Sequence, residues 1–162
     1  MRRELMTRRG AIAVAMCGVV LAFAGCASVD PEDERRARAV FDALNVDAFD
    51  AAETALAAGP DLDLRFEETM GRWTMLQMFA QTSALRPMRW LLEHDADPDV
   101  ASPEDGRTAL HLAVEGGHVE AVELLLEYNA DASLRSTFGT PAHLARTLRD
   151  ASTRERLLAL LE

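Results

Sequence analysis

The 162-residue chain is long enough for one ordinary domain, and 49% apolar with 27% charged residues excludes an acid-rich disordered tail. A formal charge of −10 argues against a nucleic-acid partner, because phosphates would be repelled rather than neutralised. Every basic residue is an arginine, which carries no functional reading of its own.

Met1 to Gly25 reads as an export signal. Arg2, Arg3, Arg8 and Arg9 form a positive leader, and Ala11 to Ala24 is apolar apart from Gly18. That run has secretory length and is too short for a comfortable membrane span. It ends in Leu21-Ala22-Phe23-Ala24-Gly25-Cys26. Small residues just before a cysteine resemble the lipobox of bacterial lipoproteins, although Phe23 stands where that motif usually has Leu. The resemblance implies cleavage before Cys26, diacylglycerol on its sulfur and a fatty acid on its new amino group. An ordinary signal peptide with an accidental cysteine, or a signal anchor, is the competing reading. Arg8-Arg9 raises a twin-arginine route, but the residues after the pair match it poorly and favour general secretion. Cleavage removes Cys17, so the mature chain has no disulfide even where the compartment permits one. Losing four arginines and one glutamate takes the formal charge from −10 to −13.

Residues 26–33 come next, as the lipidated cysteine and a short polar tether around Pro31. At about 3.5 Å per residue the tether holds the remainder of the chain close to the membrane. Ala27, rather than Asp, after the cysteine favours the outer membrane, facing the periplasm.

From Glu34 the chain becomes periodic. Glu34 to Leu44 predicts a helix with Ala37, Val40, Phe41 and Leu44 inward, and Val46 to Leu64 predicts a second helix and an exit loop. Arg65 to Trp73 predicts an extended finger. The clearest unit is Gly106 to Asp131. Thr108 caps a helix starting at Ala109, Gly116-Gly117 stop it, and a second run carries Val119, Val122, Leu125 and Leu126 on one stripe. Asn129-Ala130-Asp131 closes it with turn chemistry. A shift of 34 carries Thr74 onto Thr108, Leu76 onto Leu110, Leu85 onto Val119 and Ala96-Asp97 onto Ala130-Asp131. A shift of 32 places Thr140-Pro141-Ala142-His143 on the same opening, with Arg154 to Leu161 as its second helix and the C-terminal cap. So short a unit cannot bury its stripe alone and needs stacked neighbours.

Thr108-Ala109-Leu110-His111-Leu112-Ala113, Gly116-Gly117-His118-Val119-Glu120 and Thr140-Pro141-Ala142-His143 together resemble the ankyrin repeat family. The resemblance covers residues 34–162, divided near 34–64, 65–99, 100–132 and 133–162. It implies an all-α solenoid of about four stacked helix-turn-helix repeats with short finger loops. The second repeat is degenerate, with Trp73 and Gln77 where Arg107 and His111 stand in the third. The implied role is a non-enzymatic, monomeric module that binds a protein on a concave surface of finger tips and first helices. The family's variable positions carry over to Met70, Trp73, Gln81, Thr82, Glu104, Asp105, Arg107, Glu115, Ser136, Thr137 and Arg146. Thr74, Thr108, His111, Thr140 and His143 carry over as structural motif residues. The acidic Glu104, Asp105 and Glu115 imply a partner with a basic surface.

Other chemistry fares poorly. His111 and His143 lie a repeat apart with no third ligand patterned beside them, so each is expected to bond backbone at the base of a finger. His94-Asp95-Ala96-Asp97-Pro98-Asp99 lacks the glycine and terminal Glu of a calcium loop and reads as an exit turn. No nucleophile elbow or phosphate loop is present, so no cofactor and no metal are expected. An accessory or immunity-type protein masking an exported enzyme or toxin is the alternative, and a hydrolase is the remote one. Trp73 and Phe138 read either as inter-repeat packing or as binding anchors.

Overall fold

The computed structural model describes residues 30–66 and 72–162, and Cys26 and Met70 lie outside them. Among the described residues eight helices follow one another: α1 (Pro31–Asn45), α2 (Phe49–Leu56), α3 (Met75–Thr82), α4 (Leu85–Glu93), α5 (Ala109–Glu115), α6 (Val119–Glu127), α7 (Pro141–Ala145) and α8 (Ala151–Leu161). They form four helix pairs; α3, α5 and α7 lie side by side in one layer, and α4, α6 and α8 in the other. No strand is present among the described residues, and none of their helices is long and apolar enough to cross a membrane.

Helix α1 begins earlier than the sequence pattern placed it. Asp30 caps it by accepting from the Glu32 N–H, Pro31 takes the first turn, and Glu32, Asp33 and Glu34 favour the helix N-terminus. The last three residues assigned to the tether are therefore helical. Helix α8 likewise starts three residues early, because the Asp150 carboxylate accepts from the Thr153 N–H and the Ser152 hydroxyl. Those bonds, first of all the one with Thr153, hold the Asp150 carboxyl down at about 2.

The repeat is written in the backbone even where the side chains diverge. Asp47, Ser83 and Gly117 each take the left-handed conformation between paired helices, at φ 56°, 56° and 71°. In each turn the residue just after it bonds back across the helix end: Ala48 N–H to Ala43, Ala84 to Phe79, His118 to Ala113. The exit turns repeat the left-handed residue at Gly59, Asp95 and Asn129, and the Ala96 and Ala130 N–H groups bond back to Leu91 and Leu125, whereas Pro60 has no N–H to do so. Only Gly117 of the Gly116-Gly117 pair is left-handed, since Gly116 keeps a helical φ of −74°.

The core is one cluster running through every pair, including Val40, Leu44, Leu76, Met88, Leu91, Leu110, Val122, Leu125 and Leu157. The α6 stripe is wider than the four expected positions, because Ala121 and Leu124 are buried as well and Leu126 only partly. Side chains join the first pair to the second: Phe41 packs 5.8 Å from Phe66 and 5.3 Å from Phe79. On the other layer Glu53 accepts from the Trp90 indole at 2.8 Å and lies 3.1 Å from His94 Nε2. Exit turns are tied by carboxylates. Asp63 accepts from the Asp97 N–H at 2.9 Å, and Asp99 from the Asp131 N–H at 2.8 Å. Burial, the largest influence, pushes the Asp63 carboxyl above its usual range against that amide bond.

Buried polar struts set the height of each finger. In the second repeat the Thr74 N–H donates to Gln77 Oε1 at 2.9 Å, while Gln77 Nε2 donates to the carbonyls of Val100 and Arg107 at 2.8 and 2.9 Å. In the third the Thr108 N–H donates to His111 Nδ1 at 3.2 Å, and His111 Nε2–H donates to the Gly139 carbonyl at 3.1 Å. Neutral histidine and glutamine each present an acceptor and a donor, so the two do the same job. His143 does not: its ring is exposed and makes no hydrogen bond among the described residues.

Burial, the main cause, holds the His111 imidazole below its usual pKa, against the bond to Gly139. The unfolded chain then binds the extra proton first. The stabilisation is complete above about pH 6.5 and is lost as pH falls through that value toward the folded-state one. His111→Gln should therefore keep stability near pH 7.5 and reduce the loss of the urea midpoint between about pH 7.5 and 5. An unchanged loss in the variant would show that His111 carries no part of it.

Candidate partner-binding surface

Three fingers are neighbours, the second described only at its two ends, where Arg65 donates to the Ala101 carbonyl of the third. The second is closed by the Phe66 N–H donating to the Trp73 carbonyl at 3.1 Å. The third is closed by the Ser102 N–H to the Arg107 carbonyl and the Gly106 N–H to the Ser102 carbonyl, both 2.8 Å. The fourth is a small turn in which the Ser136 N–H donates to the Gly139 carbonyl at 2.9 Å. The Thr137 N–H donates to the Asp105 carbonyl at 2.8 Å and joins the third finger to the fourth. Gly106 has φ 75°, a left-handed conformation that favours glycine, and its α-carbon lies close against the Arg135–Ser136 backbone of the fourth finger.

Arg107 is the hub. Its Nε–H donates to Asp105 Oδ2 at 2.7 Å and its Nη1–H to Glu115 Oε2 at 2.6 Å. The guanidinium carbon lies 5.6 Å from the Trp73 ring centroid and 5.5 Å from that of Phe138. Residues from three successive repeats thus form a line, aromatic–guanidinium–aromatic. Cation–π contacts of this kind are worth about 0.5–2 kcal/mol each, depending on desolvation. Gln77 holds the Arg107 carbonyl from below, so the backbone and the head group are both fixed. The Arg107 side chain is 17% exposed, whereas Phe138 is 53% exposed. Burial disfavours the Asp105 anion, but the Arg107 N–H, its guanidinium and the Ser102 hydroxyl outweigh it and lower its pKa.

The sequence-derived residues divide into groups. Trp73, Asp105, Arg107 and Glu115 come together as one cluster, and the repeat offset places Trp73 and Arg107 adjacent. Two of the three carboxylates read as steering charges are spent on Arg107; Glu104 remains exposed at the finger tip and accepts from the Ser102 hydroxyl at 3.1 Å. The Ser136 hydroxyl donates to the Gly139 carbonyl, and Thr137 is exposed beside it. Gln81 is half-buried, and its carbonyl accepts from His118 Nε2 at 3.1 Å. The Thr82 hydroxyl donates to the Met78 and Phe79 carbonyls. Thr82 lines a cleft at the opposite end of α3, with Leu44, Asp47, Leu85 and Arg86, and takes no part in the Arg107 line. Arg146 pairs with Glu162 at 2.6 Å on the fourth repeat.

The sequence singles out Phe138 as packing or anchor without placing it among the carried-over contact positions, and the fourth finger is two residues shorter. The shift of 32 puts Gly139, not Phe138, on Arg107. Among the described residues no group of three or more histidine, cysteine, aspartate or glutamate side chains could hold a metal ion. The cluster presents two partly exposed aromatic rings beside a guanidinium whose head group and backbone carbonyl are both hydrogen-bonded.

A family model for ankyrin repeats (three copies) matches residues 40–136. The chain is 41% identical over 64 residues to ankyrin repeat domain-containing protein 29 of Danio rerio, a match covering 40% of this chain and 20% of that protein. It is 39% identical over 56 residues to the E3 ubiquitin-protein ligase KEG of Arabidopsis thaliana, covering 34% of this chain and 3% of the other. The chain thus spans a small part of the length of either relative.

Proposed function

Because the chain belongs to the ankyrin repeat family, a non-catalytic protein-interaction module, we propose that it holds a protein partner in the cell envelope through its finger face, tethered to the membrane by acylated Cys26. The observation that carries the binding reading is the Trp73–Arg107–Phe138 line, fixed by Asp105, Glu115 and Gln77. Preformed aromatic and arginine anchors bind with little ordering cost. The partner presents a basic surface to the exposed acids of this face, Glu104 among them. The tether reading rests on the apolar run and its ending at Gly25-Cys26.

Two experiments test the two halves separately. Each buried methylene of an acyl chain contributes about 0.8 kcal/mol, so several chains give a firm anchor. An alkyne fatty acid should label the wild type, and Cys26→Ser should lose both the label and the membrane fraction; label retained by Cys26→Ser would refute acylation. Affinity capture from envelope extract, read by mass spectrometry, should recover one basic protein with the wild type and far less with Trp73→Ala. Equal recovery by both would place binding elsewhere.

A further inference from the structure

The fourth repeat carries an open cleft of about 410 Å³ lined by Arg135, Thr137, Phe138, Gly139, Thr140, His143 and Arg146. On a chain of formal charge −10 this is a local inversion, because no carboxylate lines it. Arg135 is exposed and makes no ion pair among the described residues. Arg146 pairs with Glu162 at 2.6 Å, both side chains more than half exposed.

His143 shows what the cleft lacks. At each inner junction the residue in its position donates to a backbone carbonyl of the next finger: Gln77 Nε2 to Val100 and Arg107, His111 Nε2 to Gly139. His143 stands in the same frame, one repeat on, with its ring exposed and no carbonyl to meet among the described residues. An extended peptide laid beside the fourth finger would supply that carbonyl. Its side chains would then fall against Arg135 and Arg146, which favour carboxylates by charge and by paired N–H geometry. Phe138, 53% exposed, gives the wall against which an aliphatic stem can pack.

We infer that this cleft takes an extended acidic segment of a partner protein, read by Arg135 and Arg146 through carboxylates and by His143 through a backbone carbonyl. The inference rests on the finger face being a protein-binding surface and assigns the chemistry of its C-terminal end.

A fluorescein-labelled peptide of alternating glutamate and alanine, read by anisotropy on the purified repeat domain, tests it. The wild type should bind this peptide at low salt, with an affinity that falls as salt rises. Arg135→Glu/Arg146→Glu should weaken it at least tenfold at an unchanged denaturation midpoint. Glu162→Gln, which frees Arg146, should tighten it about threefold, a gain that a misfolded variant cannot mimic. A lysine–alanine peptide of the same length should not bind. The proposal is overturned if the arginine variants bind as the wild type does, if inorganic phosphate or an oligonucleotide of equal charge binds as tightly, or if the arginines instead govern self-association in sedimentation. If the arginine variants are silent while Trp73→Ala still abolishes partner capture, the cleft assignment falls and the binding surface stands.

Discussion

Leu125→Ala should lower the stability of the repeat domain by about 2–5 kcal/mol, the range for emptying a packed leucine site. Leu125 is fully buried on α6, in the layer between α4 and α8, and belongs to the core cluster that runs through all four pairs. In a solenoid each repeat is held by its neighbours, so damage at an inner interface weakens both sides of the stack. Marginal domains have roughly 5–15 kcal/mol in total, and the variant would lose a large part of that. The control is Glu123→Ala, two residues away and exposed, which should stay within about 0.5 kcal/mol. Urea midpoints that coincide for the two variants would mean that α6 does not bury the face described.

Trp73→Ala should weaken binding of the captured partner about thirtyfold or more, the effect of losing a hot-spot aromatic worth at least about 2 kcal/mol. The loss should appear mainly as faster dissociation, because removing a packed anchor leaves the long-range encounter unchanged. Trp73 is half-buried and lies beside Arg107, so its removal also frees one face of the guanidinium. Arg107→Lys separates packing from charge: lysine keeps the charge but cannot serve Asp105 and Glu115 from one planar fork. It should bind almost as poorly as Trp73→Ala. Glu104→Gln should act differently. It removes an exposed tip charge and should slow association while reducing its salt dependence, since screening shortens from about 8 Å at physiological salt to about 3 Å at 1 M. An association rate indifferent to salt and to Glu104→Gln would rule out a basic partner surface.

The helices were legible because their signals are local and periodic. One shift aligned a cap, two stripes and an exit turn, and no tertiary information was needed to place α5 and α6. Two helix starts were missed where capping decided the boundary: Asp30 and Asp150 each begin a helix ahead of its first apolar residue. Gln77 looked like decay of the motif, yet it bonds as His111 does; comparing donor and acceptor inventories rather than residue names would have found it. His143 is the reverse case. It keeps the motif's name, but its exposed ring meets no carbonyl among the described residues. The ties between repeats were not legible, because Asp63 to Asp97 and Asp99 to Asp131 depend on how the exit turns stack. The internal neutralisation of Asp105 and Glu115 was hidden for the same reason: Glu115 meets Arg107 only once α5 turns it back toward the finger.

Contact through the finger face is the central claim, and a photo-crosslinking residue at position 138 tests it most directly. Phe138 is exposed at one end of the aromatic–guanidinium line, and Glu123 is exposed on α6, in the other helix layer. Irradiated in intact cells, the protein carrying the probe at 138 should yield one discrete adduct with the partner, and the protein carrying it at 123 should yield none. An adduct from 123 in the absence of one from 138 would contradict the assignment of the finger face.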